Sequence, residues 1–106
     1  MAQALDSEKT SDKRRPVARR SPFEIRMDVL SVVTSGCTKP TQIMYRSNTS
    51  WVVLQKNLEM LTASGFLKQR VENSRTEYVA TEKGFDVVRD YNNLIYATRS
   101  EPTTAA

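Results

Sequence analysis

The hydrophobic period of this chain changes twice, and the two changes dictate the order of elements it can build. Apolar residues recur at helical spacing from Pro22 to Ser64, alternate along two short segments between Phe66 and Ala80, and return to helical spacing after Thr81. A period of 3.6 buries one stripe of a helix and a period of 2 buries one face of a strand; neither pattern serves as the other. A β-hairpin must therefore sit between helices.

Punctuation divides the helical stretch into three. Ser21-Pro22-Phe23-Glu24 carries an N-cap, a proline at the first helical position and a glutamate spaced to complete a capping box. The helix it opens runs to about Ser35, with Ile25, Val29, Val32 and Val33 at helical spacing and Phe23, Met27 and Leu30 widening the stripe, until Gly36 ends it. Thr38-Lys39-Pro40 starts a short second helix with Ile43 and Met44 as its apolar positions, and the turn formers Arg46-Ser47-Asn48-Thr49 interrupt it. Ser50 caps a third helix, in which Leu54, Leu58 and Leu61 fall at i, i+4 and i+7 before Ser64-Gly65 stops it. Two helices joined by so short a polar turn form a helix-turn-helix unit.

Phe66–Val71 and Thr76–Ala80 are expected as strands joined by Glu72-Asn73-Ser74-Arg75, and Thr81 caps a last helix reaching about Thr98. Phe85, Val88, Tyr91, Leu94 and Ile95 give that helix an apolar face, which Val87 broadens. Three helices, a two-stranded hairpin and a fourth helix make a mainly α fold of winged helix-turn-helix type, with the hairpin as the wing. It is expected over residues 21–99, followed by a frayed tail at 100–106.

Charge adds a second feature. The 106 residues are one domain's worth, and 16 basic against 12 acidic residues leave a net charge of +4. Residues 1–20 hold six basic and three acidic residues, so the segment before the first helix carries +3 of that excess. With hardly a large apolar side chain, it is expected to be a disordered basic arm. A basic balance of this kind suits a nucleic-acid partner.

Several chemistries find no residues to carry them. There is no histidine, so no histidine-based triad or metal site. The single cysteine, Cys37, makes no internal disulfide, cannot build a structural zinc site and fits a reducing compartment. Only three glycines exist, each at a punctuation point, so no phosphate-cradling loop is present. Glu24 and Asp28 lie one turn apart and are expected on a solvated helix face; Met27, Met44 and Met60 are expected in the core. No apolar run reaches the roughly 18 residues of a membrane span and the first residues lack the apolar stretch of a secretory signal. The expectation is a non-enzymatic, cofactor-free cytoplasmic protein, associated with the nucleoid.

The residues themselves point to a family. Lys39-Pro-Thr-Gln-Ile-Met-Tyr45, then Ser50-Trp51 and Leu54, then Leu58-Glu-Met-Leu-Thr-Ala-Ser-Gly-Phe-Leu67 resemble small archaeal winged-helix DNA-binding regulators. These include the ten-kilodalton dimeric chromatin-type proteins of hyperthermophilic archaea. Tyr78-Val-Ala-Thr-Glu-Lys-Gly84 resembles the strand-to-helix junction of the same proteins, and the similarity covers about residues 22–98. The resemblance implies a duplex DNA partner and a homodimer paired through the C-terminal helix, here about residues 81–98.

In a helix-turn-helix the second helix enters the major groove and its N-terminal residues meet base edges. With Leu54, Leu58 and Leu61 inward, the helix of about residues 50–64 presents Ser50, Val52, Val53, Gln55, Lys56 and Glu59. Gln55 suits an adenine edge, Lys56 a guanine or a phosphate, and Ser50 a phosphate beside the helix N-terminus. Thr38, Lys39, Thr41 and Arg46 are candidate phosphate contacts. Asn73 and Arg75 at the wing, with Lys68 and Arg70 along the strand, are placed for an adjacent groove. Lys13, Arg14, Arg15, Arg19 and Arg20 on the arm suit phosphates or a minor groove.

Plainer readings stand beside these. Gln55 and Lys56 are ordinary helix formers, Arg75 suits any solvated turn, Trp51 fits over a core edge, and the arm suits a localisation signal or a solubilising tail. A winged helix used for protein–protein contact, or an RNA-binding subunit of a larger assembly, is the alternative function. For the last helix, the domain's own core covers Phe85 and Val88 and leaves Tyr91, Leu94 and Ile95 in water. A second copy packed over Val88, Tyr91, Leu94 and Ile95 is the expected cover; a first helix folding back over the whole stripe is the alternative.

Overall fold

The computed structural model describes residues 19–99. Its elements are α1 (Pro22–Thr34), α2 (Pro40–Ser47), α3 (Trp51–Ala63), β1 (Leu67–Glu72), β2 (Arg75–Ala80) and α4 (Glu82–Arg99). The frayed tail and all of the arm but Arg19 and Arg20 lie outside the described residues.

The starts of the helices follow from their caps. At α1 both halves of the capping box form: the Glu24 amide donates to Ser21 Oγ at 3.0 Å, and the Ser21 amide donates to Glu24 Oε1 at 2.8 Å. Pro22 occupies the first turn, where its missing N–H leaves no bond unmade. Pro40 does the same for α2, and Ser50 Oγ accepts the Val53 amide at 3.2 Å to start α3. Glycine is required where α1 ends, because Gly36 takes φ 109°. The break between α2 and α3 is shorter than the turn formers suggest. Arg46 and Ser47 complete α2, where Ser47 turns its hydroxyl back to the Ile43 carbonyl at 2.6 Å, and Asn48 alone adopts the left-handed conformation, at φ 57°.

The core lies between α1 and the rest. Val29, Leu30, Ile43, Leu54 and Leu58 are fully buried, with Met27, Val33, Cys37, Leu61, Leu67, Tyr78 and Val88 closing around them. Met60, expected among them, is about half exposed and accepts a weak hydrogen bond from Arg26 Nη2 at 3.3 Å. It sits two positions beyond Leu58, about 200° around the helix from the buried line.

The hairpin is antiparallel, with Leu67 opposite Ala80 and the register running to Glu72 opposite Arg75. Its turn is therefore only two residues, Asn73 and Ser74, both at positive φ (51° and 63°), the backbone of a type I′ turn. The four-residue loop expected from polarity is half strand, because Glu72 and Arg75 pair. Leu67, Gln69, Tyr78 and Ala80 share the face toward the core, where Gln69 Nε2 donates to the Tyr78 hydroxyl at 3.1 Å. The Tyr78 amide donates outward to the Thr38 carbonyl at 2.9 Å, strapping β2 to the segment before α2.

At the junction into α4, Thr81 makes three hydrogen bonds from two atoms. Its amide donates to the Phe66 carbonyl, its hydroxyl donates to the Gly65 carbonyl at 2.7 Å, and that same oxygen accepts the Gly84 amide at 3.1 Å. Lys83 reaches the Ser64 carbonyl at 2.9 Å with its ammonium over the Phe66 ring. Gly84 is buried so closely against Phe66 that an added Cβ would collide with the Phe66 carbonyl oxygen.

That contact sets the rotation of α4 and corrects the expected face. The line through Gly84 carries Val87, Val88 and Tyr91 onto the core, whereas Phe85, one position around, is half exposed. Tyr91 is not left in water: Phe23 of α1 meets its ring edge-on, centroids 5.6 Å apart. Val88 belongs to this chain's own core, so it offers no surface to a second copy. Leu94 stays 62% exposed.

Alanine in place of glycine inside a helix ordinarily gains about 0.5–1 kcal/mol. Here Gly84→Ala should instead lose about 1–3 kcal/mol, because the junction must open to admit the methyl group. A lowered urea midpoint checks this; an unchanged or raised one contradicts the contact.

Candidate nucleic-acid interface

The side chains of α3 divide sharply. Leu54, Asn57, Leu58 and Leu61 face the core, and Trp51, Val52, Lys56 and Glu59 are exposed, with Val53 and Gln55 half-buried between. Val52 is 66% exposed and Trp51 47%, large apolar groups in solvent on the first turn of a helix. Ser50 is exposed beside the free amides of that turn; its oxygen caps Val53, and its hydroxyl can still donate to an acceptor outside the helix.

On α2, Lys39, Thr41 and Arg46 are exposed, as is Tyr45 at 77%. Thr38 is half-buried by its bond to β2. A shallow groove of about 260 Å³, lined by Lys39, Pro40, Thr41, Arg75, Thr76 and Glu77, joins the start of α2 to the base of β2. It brings Arg75 to Lys39 and Thr41, more than thirty positions earlier in the sequence.

Arg20 does something the arm's composition does not reveal. Its guanidinium donates to Asp28 Oδ2 at 2.7 Å, to the Ser47 carbonyl at 2.9 Å and to the Asn48 carbonyl at 2.6 Å. Those carbonyls form the turn between α2 and α3, at the negative end of the α2 dipole, where a cation is favoured. Arg20 therefore ties the start of α1 to the helix-turn-helix bend, and Asp28, expected as a solvated carboxylate, is its counter-ion. Arg19 beside it is exposed. Lys13, Arg14 and Arg15 lie outside the described residues.

The wing's cations are less free than their number suggests. Lys68, Arg70 and Arg75 project on the hairpin's outer face, but Arg70 pairs with Glu77 across the strands at 3.0 Å and Arg75 stands opposite Glu72. Lys68 faces Val79. Asn73 is exposed at the tip. The Glu77 carboxyl is held below its ordinary range: Arg70 donates to it, partial burial opposes that, and the Thr38 hydroxyl and the charges of Arg70 and Lys39 favour the anion.

Two features escape the sequence pattern. Tyr45 follows two apolar positions of α2 and reads as a third, yet it points to solvent; Arg20 reads as one more arm cation. Among the described residues no group of three or more His, Cys, Asp or Glu is close enough to hold a metal ion. Nor, among them, is any helix long and apolar enough to cross a membrane.

A family model described as winged helix-turn-helix matches residues 19–99. An uncharacterized protein of Methanocaldococcus jannaschii is 29% identical over 84 residues, covering 79% of this chain and 82% of the relative. Sso10a-2, a DNA-binding protein from Sulfolobus solfataricus, superposes with a TM-score of 0.65 at 30% identity, covering 74% of this chain and 82% of that one. FabT of Streptococcus pneumoniae, solved in complex with DNA, superposes with a TM-score of 0.60 at 16% identity over 69% of this chain and 54% of its own; at that identity the likeness is one of fold.

The wing's ion pair has a signature in acid. Because the folded state holds Glu77 below its ordinary value of 4.5, its contribution to stability is present above that value and lost as pH falls through the lowered one. Urea midpoints measured between about pH 6 and pH 2 should fall less steeply for Glu77→Gln than for the parent; parallel curves would show that the pair contributes nothing.

Proposed function

The chain belongs to the winged helix-turn-helix family, and on that premise we propose that it binds duplex DNA as a non-enzymatic transcriptional regulator or chromatin-associated protein. The observation that carries the reading is the first turn of α3. Ser50, Val52 and Lys56 are exposed on its outer side with the half-buried Gln55 at their edge, and Thr41 and Arg46 of α2 are exposed as well. Laid in a major groove, this turn meets base edges while Lys39, Thr41, Arg46 and the α3 amides take phosphates. The B-form major groove, about 12 Å wide, admits a helix, whereas the deep, narrow major groove of duplex RNA does not.

The wing and the arm extend the contact. Lys68, Asn73 and Arg75, with Arg70 where it releases Glu77, serve an adjacent stretch of backbone. Arg20 fixes the start of α1 at the α2–α3 bend, with Arg19 exposed beside it, and Lys13, Arg14 and Arg15 are the further cations we assign to phosphates or a minor groove. The described residues hold twelve cations and eight anions, so the arm strengthens a moderate field. Such a protein works in the cytoplasm, on the nucleoid.

We assign the far end of α4 to a second copy. Leu94 and Tyr96 are exposed there, and Asn92, Ile95, Tyr96 and Arg99 line an open groove of about 400 Å³ beyond the reach of the chain's own core. Two-fold pairing over Leu94 and Ile95, flanked by Tyr91, removes this apolar surface from water and sets two α3 helices on one duplex.

Affinity for duplex DNA should fall with salt at a log–log slope of about −0.9 for each phosphate neutralised. Removing residues 1–18, which leaves Arg20 in place, should flatten that slope without unfolding the protein. A slope that does not change takes the arm out of the interface, and a protein that prefers duplex RNA sinks the DNA reading. For the dimer, the parent should sediment at twice its 12.1 kDa and the Leu94→Glu, Ile95→Glu double variant at 12.1 kDa. A parent that stays monomeric at high micromolar concentration rules the pairing out.

A further inference from the structure

The outer side of the helix-turn-helix is apolar where a phosphate-binding surface has no use for apolar groups. Three large hydrophobic side chains stand in solvent around one bend: Tyr45 at 77% exposure near the end of α2, and Trp51 at 47% and Val52 at 66% on the first turn of α3. The core beneath is already closed by Ile43, Leu54 and Leu58, all fully buried, so packing does not explain them. Exposed apolar groups that follow one another around one bend suit a surface that is covered in use.

Their neighbours narrow what covers them. Gln55, half-buried, lies one turn beyond Trp51 and three positions beyond Val52 at the edge of this surface, and the exposed Lys56 lies one turn beyond Val52. Arg46 follows Tyr45 directly and is exposed. A protein partner would meet an apolar patch hemmed by cations; a duplex meets it with phosphates for the cations and with base edges for the helix. In the major groove the apolar group on offer is the C5-methyl of thymine, and its partner adenine presents the donor–acceptor pair that a carboxamide matches in bidentate fashion.

We propose that this surface reads A·T base pairs in the major groove, with Val52 and Trp51 packed on thymine methyl groups and Gln55 bonded to adenine. The proposal rests on the DNA-binding reading above and deepens it by naming the base pair recognised. Val52, a short branched side chain on a fixed rotamer, fits one methyl group and leaves the helix close to the base edges. Trp51, beside it on the first turn, covers a neighbouring methyl with its ring edge. Tyr45 extends the same apolar floor toward the strand that Arg46 holds. Lys56 supplies charge beside the bases.

The test removes only the methyl groups. Replacing thymine by uracil throughout an A·T-rich duplex keeps every Watson–Crick bond and every phosphate and deletes the C5-methyls. Binding of the full chain is followed at fixed salt by fluorescence anisotropy of the duplex and, in parallel, by the emission of Trp51, the single tryptophan of the chain. Burying a methyl-sized group is worth about a fourfold change in affinity, so the uracil duplex should bind about fourfold more weakly per methyl contacted. Val52→Ala, at an exposed position that leaves the core intact, should bring the thymine and uracil affinities closer together while preserving the salt slope. Equal affinity of the parent for the two duplexes overturns the proposal and leaves DNA binding standing. A difference that survives Val52→Ala and Trp51→Ala together also overturns it, because the methyls then act through the shape of the duplex. Failure to bind either duplex overturns the DNA reading itself.

Discussion

The arrangement of this domain hangs on the approach of one helix to one carbonyl. Gly84 lies against the Phe66 backbone with no room for a side chain, and Thr81 and Lys83 bond the carbonyls of Ser64, Gly65 and Phe66 around it. The end of α3, the start of β1 and the first turn of α4 are thereby joined at a single knot. Everything distal inherits its place from there. The hairpin leaves the knot in one direction with Leu67 and Tyr78 turned to the core, and α4 leaves in another with Val88 and Tyr91 turned to α1. A helix that docked even one methyl farther out would loosen both.

A second tie acts on the opposite side. Arg20 holds two carbonyls of the bend before α3 and is itself held by Asp28 of α1. The bend contains Asn48 in the left-handed conformation, a state with few intrinsic advantages for a residue that has a side chain. Two hydrogen bonds from one guanidinium offset that cost and satisfy carbonyls a helix end leaves over. The bend between α2 and α3 is thus held by a residue outside both helices.

Much of this was legible in the sequence. Ser21, Pro22 and Glu24 announced α1 to the residue, Ser50 announced α3, and Leu54, Leu58 and Leu61 named the inward face, because caps and helical periodicity are local signals. The hairpin's existence was legible from the change of period, but not its turn: Glu72 and Arg75 are polar in loops and in exposed strands alike, and only the register shows that they pair. The face of α4 was misjudged at Phe85 because a pattern weighs large apolar residues, whereas the inward position here belongs to a glycine. For the candidate interface, periodicity placed Ser50, Val52, Lys56 and Glu59 outward, whereas Val53 and Gln55, expected beside them, are half-buried. Arg20 was hidden because its partners are main-chain carbonyls twenty-seven and twenty-eight positions away, which no side-chain pattern encodes.

The two-residue turn of the wing has a consequence for how proteins of this shape can diverge. Both turn residues already sit at positive φ, so the hairpin cannot be shortened there without dismantling the bend, but it can grow. Growth is quantised. One residue added to each strand above the Gln69–Tyr78 pair would turn everything beyond it over, sending Arg70 and Arg75 inward and Val71 outward. Two added to each would lengthen the wing by about 7 Å and keep every face as it is. Lineages built on this frame should therefore differ in wing length by even steps, and the tip can gain reach without any residue of the core taking part.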